Sequence, residues 1–210
     1  MGALLPERLP WLETALQGVA FWIGHRQSLF RGYPLSEGAL VAEACNLIQA
    51  NLRHGLVLLP ERMYRRLVPV RTRLNTVGPL ARADLVICGR GTHDADRDAD
   101  LSSRVRFVIE VKRSAAPKAL IDDDLKRLHE LRKRAPGVRC FEIVVSEGAA
   151  PTRFVHDGKS KLINQKIPGC DGYFRVRRTV KAAASFSKKS AAHYVCLVEV
   201  FTKGEKPAAI

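Results

Sequence analysis

Two carboxylates and one ammonium stand out because of the residues around them. Asp84 lies in ARADLVICG (81–89), and Glu110 and Lys112 lie in RVRFVIEVKR (104–113), two runs that are otherwise largely β-branched or apolar. A charge in a buried strand costs several kcal/mol unless it is paired or bound to a metal, so packing gives no reason for Glu-x-Lys there. Successive strand residues point to opposite faces, which puts Val108, Glu110 and Lys112 on one side and Phe107, Ile109 and Val111 on the other. If the two runs form an antiparallel hairpin with Asp84 opposite Glu110, Ile87 faces Phe107, Arg90 faces Arg104, and Asp84 joins the Glu110 face. Two hard oxygen ligands a few ångströms apart suit Mg2+, with Mn2+ as a substitute; waters and phosphate oxygens complete the octahedron. Phosphodiester hydrolysis is the chemistry that follows: the ion neutralises developing charge and acidifies a bound water, which Lys112 orients. A metal is the economical source of the roughly 8 to 23 kcal/mol that an enzyme removes from its barrier, because a basic surface that only holds substrate removes none of it selectively.

The elements that must position these groups follow from periodicity. A helix is expected from Leu9 to about Arg26, with an aromatic face (Trp11, Phe21, Trp22) that needs a partner, either the domain itself or a second protomer. A second helix runs from Ser36, its N-cap, to about His54, with Gly55 as its stop and Glu43 at the edge of the stripe formed by Leu40, Ala44, Leu47 and Ile48. Residues 56–80 read as an Arg-rich segment, irregular or strand. Between the two strands, Gly91–Ser103 is long for a hairpin loop, and its Asp94, Asp96, Asp98 and Asp100 read as an acidic, solvated loop. They miss a calcium loop because Ala99 and Val105 stand where it needs Gly and Glu. A helix ends near Arg134, with Asp122, Asp123 and Asp124 toward its positive end and Arg132, Lys133 and Arg134 at its negative end. CFEIVVSEG (140–148) is a further strand. YFRVRRTVK (173–181) and HYVCLVEVFTK (193–203) add two more, the first with Arg175, Arg177 and Lys181 on one face and Phe174, Val176 and Val180 on the other.

Asp84 in RADLVI, Glu110-Val111-Lys112 in FVIEVKR, the helix and strand that follow, and Glu43 on a preceding helix together resemble the PD-(D/E)xK nuclease superfamily. The resemblance implies a restriction-endonuclease-like α/β fold: an αβββαβ core over residues 36–148, its mixed central sheet flanked by helices. It also implies Asp84 and Glu110 as Mg2+ ligands, the Val111 carbonyl as a further ligand, Lys112 as the catalytic lysine, and Glu43 as the acid that completes the metal shell. Ala83 replaces the motif's Pro, and the helix ending near Arg134 lacks the Gln-x-x-x-Tyr signature of the RecB-like branch. The resemblance leaves out residues 1–35, a helical extension, and 149–210, a basic β extension, of what reads as one domain spanning 1–210.

The 210 residues carry 35 Lys and Arg against 21 Asp and Glu, a net charge of +14, with 46% hydrophobic residues for a core. Apolar and basic residues are interspersed, which excludes a disordered polycation and points to a polyanionic partner. DNA is the expected one, approached by Arg62, Arg65, Arg66, Arg71 and Arg73 beside Tyr64, and by Arg175, Arg177, Lys181, Lys188 and Lys189. No apolar run is long enough to span a bilayer, the N-terminus lacks a signal-peptide pattern, and position 6 is Pro where myristoylation needs Ser or Thr. A cytoplasmic protein is expected. The five cysteines contain no C-x-x-C pair and read mostly as small buried hydrophobes; the six histidines have no ligand spacing. Gly158-Lys159-Ser160 has Arg153 where a phosphate-binding loop needs Gly.

The expectation is therefore a Mg2+-dependent DNA endonuclease of a restriction or other genome-defence system. One site per chain implies a homodimer or larger complex for a two-strand cut. The alternatives are a non-catalytic nucleic-acid-binding or assembly subunit on the same fold, and a nuclease for branched DNA or RNA.

Overall fold

The computed structural model describes residues 9–30, 33, 35–91, 100–183 and 191–205. Helices α1 (Pro10–Leu29) and α2 (Glu37–Asn51) come first, then β1 (Leu56–Met63), a 3-10 turn at Tyr64–Arg66, β2 (Arg82–Gly89), β3 (Val105–Arg113), α3 (Lys118–Arg134) and β4 (Arg139–Ser146). The short β5 (Val155–His156), β6 (Lys159–Ser160) and β7 (Gln165–Lys166) precede β8 (Tyr173–Ala183) and β9 (Ala192–Phe201). Seven strands form one mixed sheet in the order β1-β2-β3-β4-β9-β8-β7, and β5 and β6 pair separately. Only β3 and β4 run parallel, because α3 carries the chain across between them; every other neighbouring pair in the sheet is antiparallel. No described helix is long and apolar enough to cross a membrane.

Each face of the sheet has its own core. On one, Ile121, Leu125 and Leu128 of α3 cover Val86, Val108, Val144 and Val198. On the other, Leu12 and Leu16 of α1 and Leu40 and Ile48 of α2 cover Leu85, Ile109, Val111 and Ile143. The Trp11 ring meets Phe107 edge-on at 5.5 Å, so the chain itself covers most of the aromatic face of α1. Phe21, 74% exposed, stays outside that contact.

Several boundaries differ from the sequence reading. Of the two readings of the Arg-rich segment, residues 56–63 take the strand: Pro60 and Glu61 break the apolar run, and Glu61 takes a left-handed φ of 57° at the position facing Asp84. Ser36 does cap α2, its Oγ accepting from the Ala39 N–H at 3.2 Å, but the helix ends at Asn51 because Leu52 is already extended. A bulge between Val176 and Arg178 reverses the alternation of β8. Arg175 pairs across from Glu199 while Lys181 pairs across from Tyr194, so these cations do not share a face, and Val180 joins the α1 side. β9, buried at all ten positions, lies between β4 and β8; the C-terminal segment is built into the sheet. All five cysteines are free, and Cys88, Cys140 and Cys196 are buried.

Candidate active site

The β2–β3 register is the one that brings the carboxylates together. Leu85 pairs with Ile109, Val86 with Val108 and Ile87 with Phe107, and the next step of that ladder sets Asp84 against Glu110. A slip between Ile87 and Cys88 then pairs Cys88 with Val105, so Gly89, and not Arg90, bonds to Arg104, its N–H donating to the carbonyl at 3.0 Å. At the site itself side chains take over from the ladder. The Val111 N–H donates to Asp84 Oδ2 at 2.8 Å, and the Asp84 N–H to Glu110 Oε2 at 3.4 Å.

Glu110 is 3% exposed, and the wholly buried Tyr64 donates its hydroxyl to Glu110 Oε1 at 2.5 Å. Burial first, and the neighbouring Asp84 carboxylate second, push the Glu110 carboxyl up to about 8. Burial also raises Asp84, against the pull of the Val111 N–H. Two neighbouring acids both pushed toward the protonated form are a pair for which a cation can substitute. Each has one oxygen fixed by a short bond from a neighbouring donor, the arrangement that orients ligands for an ion. Among the described residues no group of three or more His, Cys, Asp or Glu is arranged to hold a metal ion. Asp84 and Glu110 are the residues that could hold a hard divalent ion, which takes one or two carboxylates and completes its shell with water and substrate oxygens.

Lys112, with its side chain 15% exposed, is held by two acids, Glu37 Oε1 at 2.6 Å and the buried Asp124 Oδ2 at 3.3 Å; Asp124 also pairs with Arg127. The acid that α2 brings to the site is Glu37, whose charge also acts on Asp84. Glu43 is half-buried and makes no hydrogen bond or ion pair among the described residues. Its place two turns along the helix sets it away from the helix end that meets Lys112. Sequence reasoning did not single out Glu37. Asp122 and Asp124 read as dipole-complementing acids, yet both are buried partners of cations, Asp122 accepting from Arg153 Nη2 at 2.5 Å.

Glu142 was missed altogether. It pairs with Glu110 across the parallel strands, is 0% exposed, and neither carboxylate oxygen has a hydrogen-bond partner. Burial, then Glu110, raise its carboxyl far above the usual range. The sequence signal was the one that marked Glu110: a lone acid in an apolar strand.

Of the cations assigned to nucleic acid, Arg65, Arg71, Arg73 and Lys181 are exposed and Arg66 and Arg175 half-buried. Arg62, 5% exposed, is removed from the surface set by burial. Arg177 is engaged by Glu199 at 3.3 Å. Lys188 and Lys189, and the acidic-loop residues Asp94, Asp96 and Asp98, lie outside the described residues.

The comparisons give no relative to set beside this geometry: no protein-family model matches the chain, nor does any curated protein or solved structure.

Proposed function

We propose that this chain is a Mg2+-dependent DNA endonuclease on a PD-(D/E)xK core. The observation that carries the reading is the convergence of Asp84 and Glu110 from adjacent antiparallel strands, with Lys112 one strand repeat beyond Glu110. The order α2-β1-β2-β3-α3-β4 supports it, being the αβββαβ order of that core. Asp84 and Glu110 would hold the ion, with the Val111 carbonyl as a further oxygen, and Mn2+ would substitute. When bound, the ion supplies charge neutralisation at the phosphate and an acidified water. Tyr64 and the Val111 N–H fix the carboxylates, and Glu37 and Asp124 hold the Lys112 ammonium where it orients the attacking water and offsets charge on the phosphate. Arg65, Arg71 and Arg73 are exposed cations for the phosphate backbone.

Two observations favour a second reading, a nucleic-acid-binding or assembly subunit without turnover: Glu110 is deeply buried, and Lys112 is already paired with two acids. Nicking of supercoiled plasmid separates the two. The endonuclease reading expects nicking in Mg2+ or Mn2+ and none in EDTA, with loss in folded Asp84→Ala and Lys112→Ala proteins. Salt-sensitive binding with no cleavage of linear, nicked, branched or RNA substrates in any divalent metal supports the subunit reading and rejects the enzyme.

A further inference from the structure

Beyond the carboxylate pair, the carboxyl ends of the parallel strands β3 and β4 open into a cleft of about 640 Å³ whose wall includes Arg113, Lys118 and Arg153. A second hollow of about 570 Å³ shares Lys118 and Arg153 with it and adds Lys166. The crevice outside the carboxyl ends of strands is where open α/β sheets place ligands. Two features show what chemistry this one takes.

The first is Arg153. Its Nη2 is anchored on Asp122 at 2.5 Å, and its guanidinium lies over Phe154 and Phe174 at 5.4 and 5.0 Å from the ring centroids. Held from these sides, the group keeps one buried nitrogen, Nη1, with no hydrogen-bond partner. An N–H donor fixed in place and left without an acceptor is costly unless a ligand supplies one. The second is the charge around it. Arg113 is balanced by Glu147 at 3.2 Å, but Lys118 and Lys166 are exposed and carry no ion pair among the described residues. The cleft thus has surplus positive charge and a preorganised donor, which match the oxygens of a phosphate.

We propose that this cleft binds phosphate groups of a nucleic-acid strand, with Arg153 Nη1, Lys118 and Lys166 as the contacts, and so directs the strand leaving the Asp84–Glu110 pair. The start of α3 ties the two places together, Asp122 holding Arg153 in the cleft and Asp124 holding Lys112 beside the pair. The inference rests on the nucleic-acid part of the reading above and not on turnover. The phosphates are either backbone diesters or a terminal monoester, which have the same recognising chemistry.

The test is fluorescence anisotropy of the full chain with short DNA duplexes in EDTA, across a salt series. The Lys118→Ala/Lys166→Ala double variant should bind more weakly, with the slope of log K against log salt reduced by about two. The charge-matched control Lys133→Ala/Lys203→Ala, exposed residues in a different hollow, should keep the wild-type affinity to a closer margin. Arg153→Lys, which keeps the charge and loses the fork, should lower affinity with the slope unchanged. Duplexes with and without a 5′-phosphate identify the source: equal affinity assigns backbone diesters, and a loss on removing the 5′-phosphate assigns the terminal group. If the cleft variants bind as wild type, or the control pair weakens binding as much as they do, the cleft assignment is overturned while the nuclease reading stands. If they weaken binding but the wild type cuts nothing in Mg2+, the cleft stands and the nuclease reading falls. If the wild type binds no duplex, both fall.

Discussion

Replacing Glu110 by Gln keeps the shape and the acceptor for the Tyr64 hydroxyl while removing a carboxyl whose protonation burial and Asp84 strongly favour. The folded chain holds the Glu110 proton up to about 8, against an ordinary value of 4.5 in the unfolded chain. Below pH 4.5 both states are protonated and the stability contribution is fully present. As pH rises the unfolded chain loses its proton first, so stability falls, and the fall ends once pH passes about 8. Over that interval the linked loss is on the order of 5 kcal/mol. Urea unfolding of metal-free protein from pH 5 to 9 measures it: wild type should lose more stability than Glu110→Gln, whose remaining slope comes from Asp84 and Glu142, which burial also raises. Added Mg2+ competes with the Glu110 proton, so it should stabilise wild type more at pH 8 than at pH 6 and leave Glu110→Gln almost unaffected. Parallel pH profiles for the two proteins, or equal Mg2+ stabilisation of both, would refute the buried acid pair.

Tyr64→Phe removes the donor that favours the ionised Glu110, so the pH fall in metal-free stability should extend to higher pH, and unfolding at neutral pH should show a cost of about 1–3 kcal/mol. Glu37→Gln loosens the Lys112 ammonium and should lower the initial nicking rate several-fold, whereas Glu43→Gln should leave it unchanged; the opposite ranking would restore Glu43 as the helix acid. Trp11→Ala empties the edge contact with Phe107 under α1 and should cost about 3–5 kcal/mol in urea unfolding.

The strands that carry the site were legible because β-branched runs and a period of two leave little choice, and because only one register sets Asp84 against Glu110. What escaped was decided by tertiary packing. β1 was left undecided by Pro60 and Glu61, whose backbone departs from a regular strand. The bulge in β8 has no signature in YFRVRRTVK, yet it turns Lys181 to the other side of the sheet from Arg175. Helix periodicity located α2 and singled out Glu43 because it sits at the edge of the apolar stripe. Reaching Lys112 depends instead on which end of the helix meets the end of β3, and that selects Glu37. The acids of α3 complement a dipole in isolation; in the fold they neutralise Lys112 and Arg153.

The most direct measurement is single-turnover cleavage of an end-labelled DNA duplex by wild type and by the isosteric Asp84→Asn protein, in matched Mg2+ and EDTA buffers. The account predicts a cleavage phase for wild type in Mg2+ that EDTA abolishes and that Asp84→Asn slows by at least about a hundredfold while still binding the duplex. Cleavage that persists in EDTA, or that is equally fast in Asp84→Asn, would contradict it.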